Sequence, residues 1–211
     1  MRNIMNKSKI DQIRNHYIPR IDKPIENFEI LDWASKESQH LRFDQLTRFL
    51  NLDHKSLLDV GCGLADLPVY LADKKFVTNY FGVDILPEMV SKARQNFPAG
   101  HFASLDIFCA DSSEIRDLLT TDRFDIVYCS GALNLNLSNN LDFVAHALKK
   151  MLSLTQEKLV VTLLHARQPI DEPQYFAYYP EDIIKILKPI CKDIQIVDDY
   201  LYNDFTVICE S

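Results

Sequence analysis

Asp59, Gly61 and Gly63 fall together in the run Leu57-Leu58-Asp59-Val60-Gly61-Cys62-Gly63-Leu64-Ala65. The apolar residues before Asp59 read as a strand, the glycines as a tight turn, and the residues from Leu64 onward as a helix start. Glycine permits positive φ and lets a ligand come close to the backbone. A helix N-terminus offers free N–H groups to an anion. A pyrophosphate or a carboxylate would suit such a turn. The neighbouring acids separate the two. A dinucleotide fingerprint needs a third glycine where this chain has Asp66, a negative charge facing any pyrophosphate, which disfavours an NAD-dependent oxidoreductase. Asp59, at the strand end, wants an ammonium partner. A ligand carrying both an amine and a carboxylate therefore fits best.

Two further acids end strand-like runs. Asp84 closes Phe81-Gly82-Val83-Asp84, where this geometry sets a carboxylate on a ribose diol. Asp111, followed by Ser112, closes the next. Open α/β sheets bind ligands at the carboxyl ends of their strands, so all three acids would face one cleft. Each has a plainer alternative: a tight turn for the glycines, and helix caps for Asp84 ahead of Pro87 and for Asp111.

The elements that must position them emerge from the rhythm of the chain. Short apolar, β-branched or aromatic runs recur at Ser56–Val60, Tyr80–Asp84, Leu105–Cys109, Phe124–Cys129 and Leu159–Leu164. Helical spacing lies between them, at Asp66–Lys74, Pro87–Gln95, Ser113–Leu119 and Leu141–Leu152. Such alternation predicts βαβ units and a parallel sheet buried on both faces. Asp66 is expected as an N-cap with Pro68 in the first turn. After Leu164 a loop rich in proline and aromatics, Gln168–Pro180, leads to a helix at Glu181–Leu187. The runs Ile194–Val197 and Phe205–Cys209 then read as an antiparallel hairpin at the sheet edge. Trp33–Leu50 looks helical, and Met1–Arg20 is basic. The expectation is an N-terminal helical extension over 1–50 and one globular unit over 51–211.

Composition bounds the class. The chain has 211 residues, 47% hydrophobic and 25% charged, with 5 Gly and 9 Pro, which excludes disordered and low-complexity classes. A net charge of -7 repels phosphate backbones and disfavours nucleic acid as a partner. The 5 cysteines are scattered, with no Cys-x-x-Cys pair, and several lie in apolar runs, as expected of a reducing cytoplasm. No apolar run is long enough to span a membrane. The sequence sets no oligomeric state.

The run Leu58-Asp59-Val60-Gly61-Cys62-Gly63, followed by Gly82-Val83-Asp84, Cys109-Ala110-Asp111 and Phe124-Asp125-Ile126-Val127, resembles class I S-adenosylmethionine-dependent methyltransferases over about Ser56 to Cys209. The resemblance implies a Rossmann-like α/β three-layer sandwich, with a mostly parallel seven-stranded sheet and an antiparallel last strand. Its cofactor would be S-adenosyl-L-methionine. Asp59 would face the methionyl amine and Gly61, Cys62 and Gly63 the carboxylate. Asp84 would take the ribose hydroxyls, Ile85 and Leu86 the adenine ring, and Asp111 with Ser112 the adenine amine. Ser130 would complete the set. Trp33, Glu37, Gln39, Arg42 and Phe43 resemble a cofactor-covering helix, in which Arg42 meets the carboxylate or is salt-bridged instead.

Methyl transfer from a sulfonium needs alignment and exclusion of water, and a base only if the acceptor must lose a proton. Cys129-Ser130-Gly131-Ala132-Leu133-Asn134 would border the acceptor. It lacks the Pro-rich pattern of adenine and glutamine amino methyltransferases, and the Pro-Cys pair of cytosine C5 enzymes, so Cys129 reads as a core thiol. No acid cluster there suggests a metal. These features point to a small-molecule acceptor, with a protein side chain as an alternative. A non-catalytic cofactor-binding protein of the same fold is a further one. His165 is the candidate base, with a structural role as its alternative. Tyr175, Phe176, Tyr178 and Tyr179 either wall an acceptor pocket or clamp their loop to the sheet, with Tyr178 and Tyr179 the candidate catalytic rings.

Overall fold

The computed structural model describes residues 6–167, 169 and 171–211. Three helices come first: α1 (Lys7–Ile21), α2 (Asn27–Ile30) and α3 (Lys36–Phe49). Strands and helices then alternate through β1 (Ser56–Val60), α4 (Asp66–Asp73), β2 (Asn79–Asp84), α5 (Pro87–Asn96), β3 (His101–Ser104), α6 (Ser112–Leu119), β4 (Phe124–Ser130), α7 (Asn140–Leu154) and β5 (Thr155–Leu164). The chain closes with α8 (Pro180–Leu187), β6 (Asp193–Val197) and β7 (Asp204–Glu210).

The seven strands form one sheet in the order β3-β2-β1-β4-β5-β7-β6. Contacts among β1 to β5 are parallel, while β7 runs antiparallel to both β5 and β6. The expected hairpin is present, but its second strand inserts beside β5 and leaves β6 at the edge. Successive side chains of a strand point to opposite faces, and β1 shows the result. Leu58 and Val60 join the core that holds Phe143, Val144 and Leu148 of α7. Leu57 joins the one that holds Phe43 and Leu46 of α3 and Tyr70 and Leu71 of α4. The architecture is therefore a helix–sheet–helix sandwich.

Two sequence expectations shift. The third strand is His101–Ser104, ahead of the predicted run Leu105–Cys109. Asp106 breaks that run by turning the chain: its side chain accepts the N–H of Phe108 at 3.2 Å, and its carbonyl accepts those of Cys109 and Ala110. At α4 the N-cap is Ala65, in the left-handed region at φ 66°, and Asp66 is the first helical residue. Arg2 of the basic N-terminal stretch, and Gln168 at the start of the aromatic loop, lie outside the described residues. Among the described residues no helix is long and apolar enough to cross a membrane.

Candidate functional site

The parallel strands deliver their carboxyl ends to one edge of the sheet, and a cavity of about 550 Å³ lies there. β1 contributes Asp59 and the turn after it, β2 contributes Asp84, Ile85 and Leu86, β4 contributes Ser130 and Gly131, and β5 leads into His165. Ile13 and Tyr17 of α1, with Leu31 and Trp33 ahead of α3, form its roof.

The glycine turn is fixed by its surroundings. Gly61 has φ 77°, and a Cβ there would lie 2.4 Å from that of Ala132, so no side chain fits. The N–H groups of Gly61 and Cys62 both donate to the Val83 carbonyl, at 2.8 and 3.0 Å, which ties the turn to β2. Asp84 then links the two strand ends. Its Oδ2 accepts the Gly63 N–H at 3.1 Å and its Oδ1 the Leu86 N–H at 2.9 Å. Burial pushes this carboxyl up to about 6, against the pull of those bonds. Asp59 is only 4% exposed and accepts a 2.6 Å bond from the Tyr80 hydroxyl. Burial pushes it up to about 7; the Tyr80 bond opposes the rise, and the charges of Asp84 and Asp66 add to it. Two buried carboxylates on one wall make a place for a cation or for a group that donates hydrogen bonds.

Asp66 is occupied. Asn27 Nδ2 reaches its Oδ1 at 2.7 Å and Gln39 Nε2 its Oδ2 at 3.0 Å, so the N-terminal helices are stitched to the first helix after the glycine turn. Arg42 lies on the cavity wall, with its charge committed elsewhere. It forms a buried ion pair with Asp204 of β7 and donates to the Ser38 carbonyl at 2.6 Å. Its guanidinium sits 4.3 Å over the ring of Trp33. Burial pushes the Asp204 carboxyl up to about 6 even against Arg42. Trp33 in turn covers Gly131, where a Cβ would fall 2.6 Å from the indole. Of the expected covering group, Gln39, Arg42 and Phe43 line the cavity and Glu37 is exposed.

Other expected residues lie elsewhere. Asp111 and Ser112 are exposed and absent from the wall. Asp111 caps α6: its Oδ1 accepts the N–H groups of Ser113 and Glu114, and Glu114 answers on the Asp111 N–H. The wall there is formed by Leu105, Asp106, Ile107 and Phe108, because β3 ends early and the turn at Asp106 swings this segment across the rim. Tyr178 is a core residue, 1% exposed; its hydroxyl donates to the Leu133 carbonyl at 2.6 Å and accepts from Asn140 at 3.3 Å. Tyr179 precedes α8 and is 58% exposed. Adjacent side chains diverge, so one ring goes in and the other out. Of the four aromatics only Tyr175 reaches the cavity, where its hydroxyl donates to Asp32. Cys129 is fully buried in the core.

The far end of the cavity is walled by Asn134, Leu135, His165, Arg167, Tyr202 and Asn203. Sequence reasoning missed Tyr17, Asp32, Asp106, Tyr202 and Asn203. No motif surrounds them; the helical cover and the turns of the sheet edge bring them together.

Residues 57–157 match the family model for a methyltransferase domain. A Mycobacterium tuberculosis protein named as a methyltransferase, Rv1506c, is 26% identical over 165 residues, covering 74% of this chain and 93% of its own length. A Halalkalibacterium halodurans protein named as an uncharacterized RNA methyltransferase is 28% identical over 83 residues, 39% of this chain. The chain spans only 18% of that protein. Among solved structures, the magnesium protoporphyrin IX methyltransferase of Synechocystis with bound SAH superposes with a TM-score of 0.62 at 18% identity, covering 99% of this chain and 96% of that one.

Proposed function

From the methyltransferase-domain match over residues 57–157 and the shared fold, we propose that this chain is a class I S-adenosylmethionine-dependent methyltransferase that methylates a small, largely apolar molecule held in the cavity. The observation that carries this reading is the division of one roofed cavity into an acid-lined end at β1 and β2 and an aromatic end at β5. Such an enclosure suits a ligand of limited size with a few fixed polar contacts.

The residues present fit the cofactor. The Gly61 cradle admits no Cβ, and Asp59 and Asp84 hold carboxyls that a cationic, diol-bearing ligand would stabilise as carboxylates. In this reading Asp59 takes the amine, Gly61–Gly63 the carboxylate end, Asp84 the diol, and Ile85 and Leu86 the flat ring. Asp106 replaces Asp111 on the adenine side. When bound, S-adenosylmethionine supplies an electrophilic methyl group on a sulfonium. The chain's own residues hold the partners in line: the acids anchor one end, while Trp33 and Tyr17 close the roof and exclude water. Trp33 is fixed by Arg42 and Gly131.

The net charge of -7 speaks against an RNA acceptor, as do Asp32 and Glu172 on the wall. A cytoplasmic location belongs to the same proposal, supported by Cys62, Cys129 and Cys209 buried as free thiols. Calorimetry should show binding of S-adenosylmethionine and its demethylated product, and none of NAD. Methyl-labelled cofactor incubated with separate metabolite, RNA and protein fractions should then label the metabolites. Label appearing in RNA or protein alone would overturn the small-molecule assignment.

A further inference from the structure

We propose that the acceptor presents a hydroxyl to the His165 imidazole, which takes its proton as the oxygen receives the methyl group. This rests on the methyltransferase reading of the cavity. His165 lies on the cavity wall immediately after β5, away from the acids of β1 and β2. In the strand order β2-β1-β4-β5 that is the opposite end of the cavity from Asp84.

The ring is held but uncommitted. Its backbone N–H donates to the Asn203 carbonyl at 2.8 Å, and the residues on either side bond to Tyr178, with Tyr178 N–H on the Leu164 carbonyl and Ala166 N–H on that of Tyr178. Phe205 packs against the ring edge-on, with centroids 5.3 Å apart. Its Nδ1 is buried with no hydrogen-bond partner among the described residues, which is uncommon for a buried polar atom. Nε2 has no partner among the described residues either. Three charged groups on this part of the wall are already engaged. Arg167 binds Asp198, Asp32 receives Tyr175 and His16, and Glu172 receives Gln174. Tyr175 cannot serve as the base, because burial and Asp32 hold its hydroxyl well above the usual phenol range.

The groups that face His165 set its charge. Burial and Arg167 lower its basicity, while Asp198 from the β6–β7 connection and Glu181 of α8 raise it by less. The imidazole is therefore uncharged at neutral pH and able to accept a proton. The step balances. The acceptor O–H bond breaks and its proton passes to a ring nitrogen of His165. The oxygen pair forms the new O–CH3 bond, the C–S bond breaks, and its electrons remain on sulfur. The imidazolium then returns its proton to solvent. Around this histidine Leu135, Tyr175 and Tyr202 offer apolar surface beside the polar Asn134 and Asn203, a mixed wall that suits a phenol-like acceptor, flat and apolar with one polar tip.

The test uses phenol and toluene as probes, which differ by the hydroxyl alone. They are titrated into the full chain carrying 15N-labelled histidine, and the His165 ring resonances are followed. Phenol should bind roughly fivefold to tenfold more tightly than toluene near neutral pH, as one hydrogen bond warrants. Phenol, and not toluene, should move the resonance of the accepting ring nitrogen while the ring is neutral, and that movement should be lost once acid protonates the ring. His165→Leu should bind both probes equally. His165→Asn, which keeps an acceptor but cannot titrate, should retain the preference. Equal binding of the probes to the unmodified protein, or no binding of either, overturns the proposal. So does a preference that leaves the His165 ring resonances unmoved or survives in His165→Leu. Cofactor calorimetry on the same samples separates the outcomes: lost S-adenosylmethionine binding would sink the methyltransferase reading, whereas the probe comparison tests His165 alone.

Discussion

The carboxylate of Asp84, at the end of β2, accepts the backbone N–H of Gly63, in the turn after β1, at 3.1 Å. One side chain thus sets the shape of the glycine turn and faces the cavity with its remaining hydrogen-bonding capacity.

Asp84→Ala should weaken S-adenosylmethionine binding by roughly 10- to 100-fold, since charge-assisted hydrogen bonds contribute about 1.5–3 kcal/mol. Calorimetry checks this, and unchanged affinity would leave Asp84 a turn-forming residue only.

Cofactor affinity should depend on pH. Asp59 and Asp84 titrate near 7 and 6 in the free protein, and a cationic ligand favours their charged forms. Binding below those values must expel protons, so affinity should fall as pH drops through them, about tenfold per unit once a carboxyl is protonated. Titrations from about pH 8 to pH 5 test this; a flat profile would count against contact with either acid.

The Arg42–Asp204 pair is buried on both sides. Removing one partner strands the other charge, so Arg42→Met should destabilise the fold by about 3–5 kcal/mol. The double replacement Arg42→Met with Asp204→Leu should recover much of that. Urea unfolding of the three proteins decides; additive losses would mean the pair is not coupled.

Gly131→Ala should cost about 1–3 kcal/mol, combining positive φ with a clash against Trp33. Combining it with Trp33→Ala should give less than the sum of the two single losses, as measured by thermal melting. Strict additivity would show that Trp33 does not press on Gly131 in solution.

Tyr178→Phe removes a buried hydroxyl and should lower the melting temperature while leaving cofactor affinity unchanged. Tyr179→Ala, on an exposed ring, should change stability by no more than about 0.5 kcal/mol.

The sheet was legible because buried strands announce themselves. Ser56–Val60 and Phe124–Cys129 are apolar and β-branched runs with glycine or polar residues after them, and they stand within a residue of where they were expected. The third strand slipped because Leu105, Ile107 and Phe108 are apolar for another reason: they wall a cavity and pack beside the core. Asp111 misled because an acid that caps a helix and an acid that meets a ligand occupy the same place after a strand. The sequence Asp111-Ser112-Ser113-Glu114 is a capping box, and that local signal was the better guide. Arg42 could be placed near the site, but its partner lies in β7, and no local pattern joins them.

Arg42 and Asp204 are separated by 162 positions in the chain. On a ribosome adding ~5–20 residues per second, the guanidinium waits on the order of ten seconds or more before its carboxylate is made. Until then Arg42 has no carboxylate to lock against, and the roof over the glycine turn lacks one of its fastenings. The cavity is consequently finished only when β7 has been made, long after the glycine turn it covers. A nascent chain arrested before β7 would present the β1 and β2 acids without the finished cover, so tight cofactor binding should appear only after Asp204 has emerged.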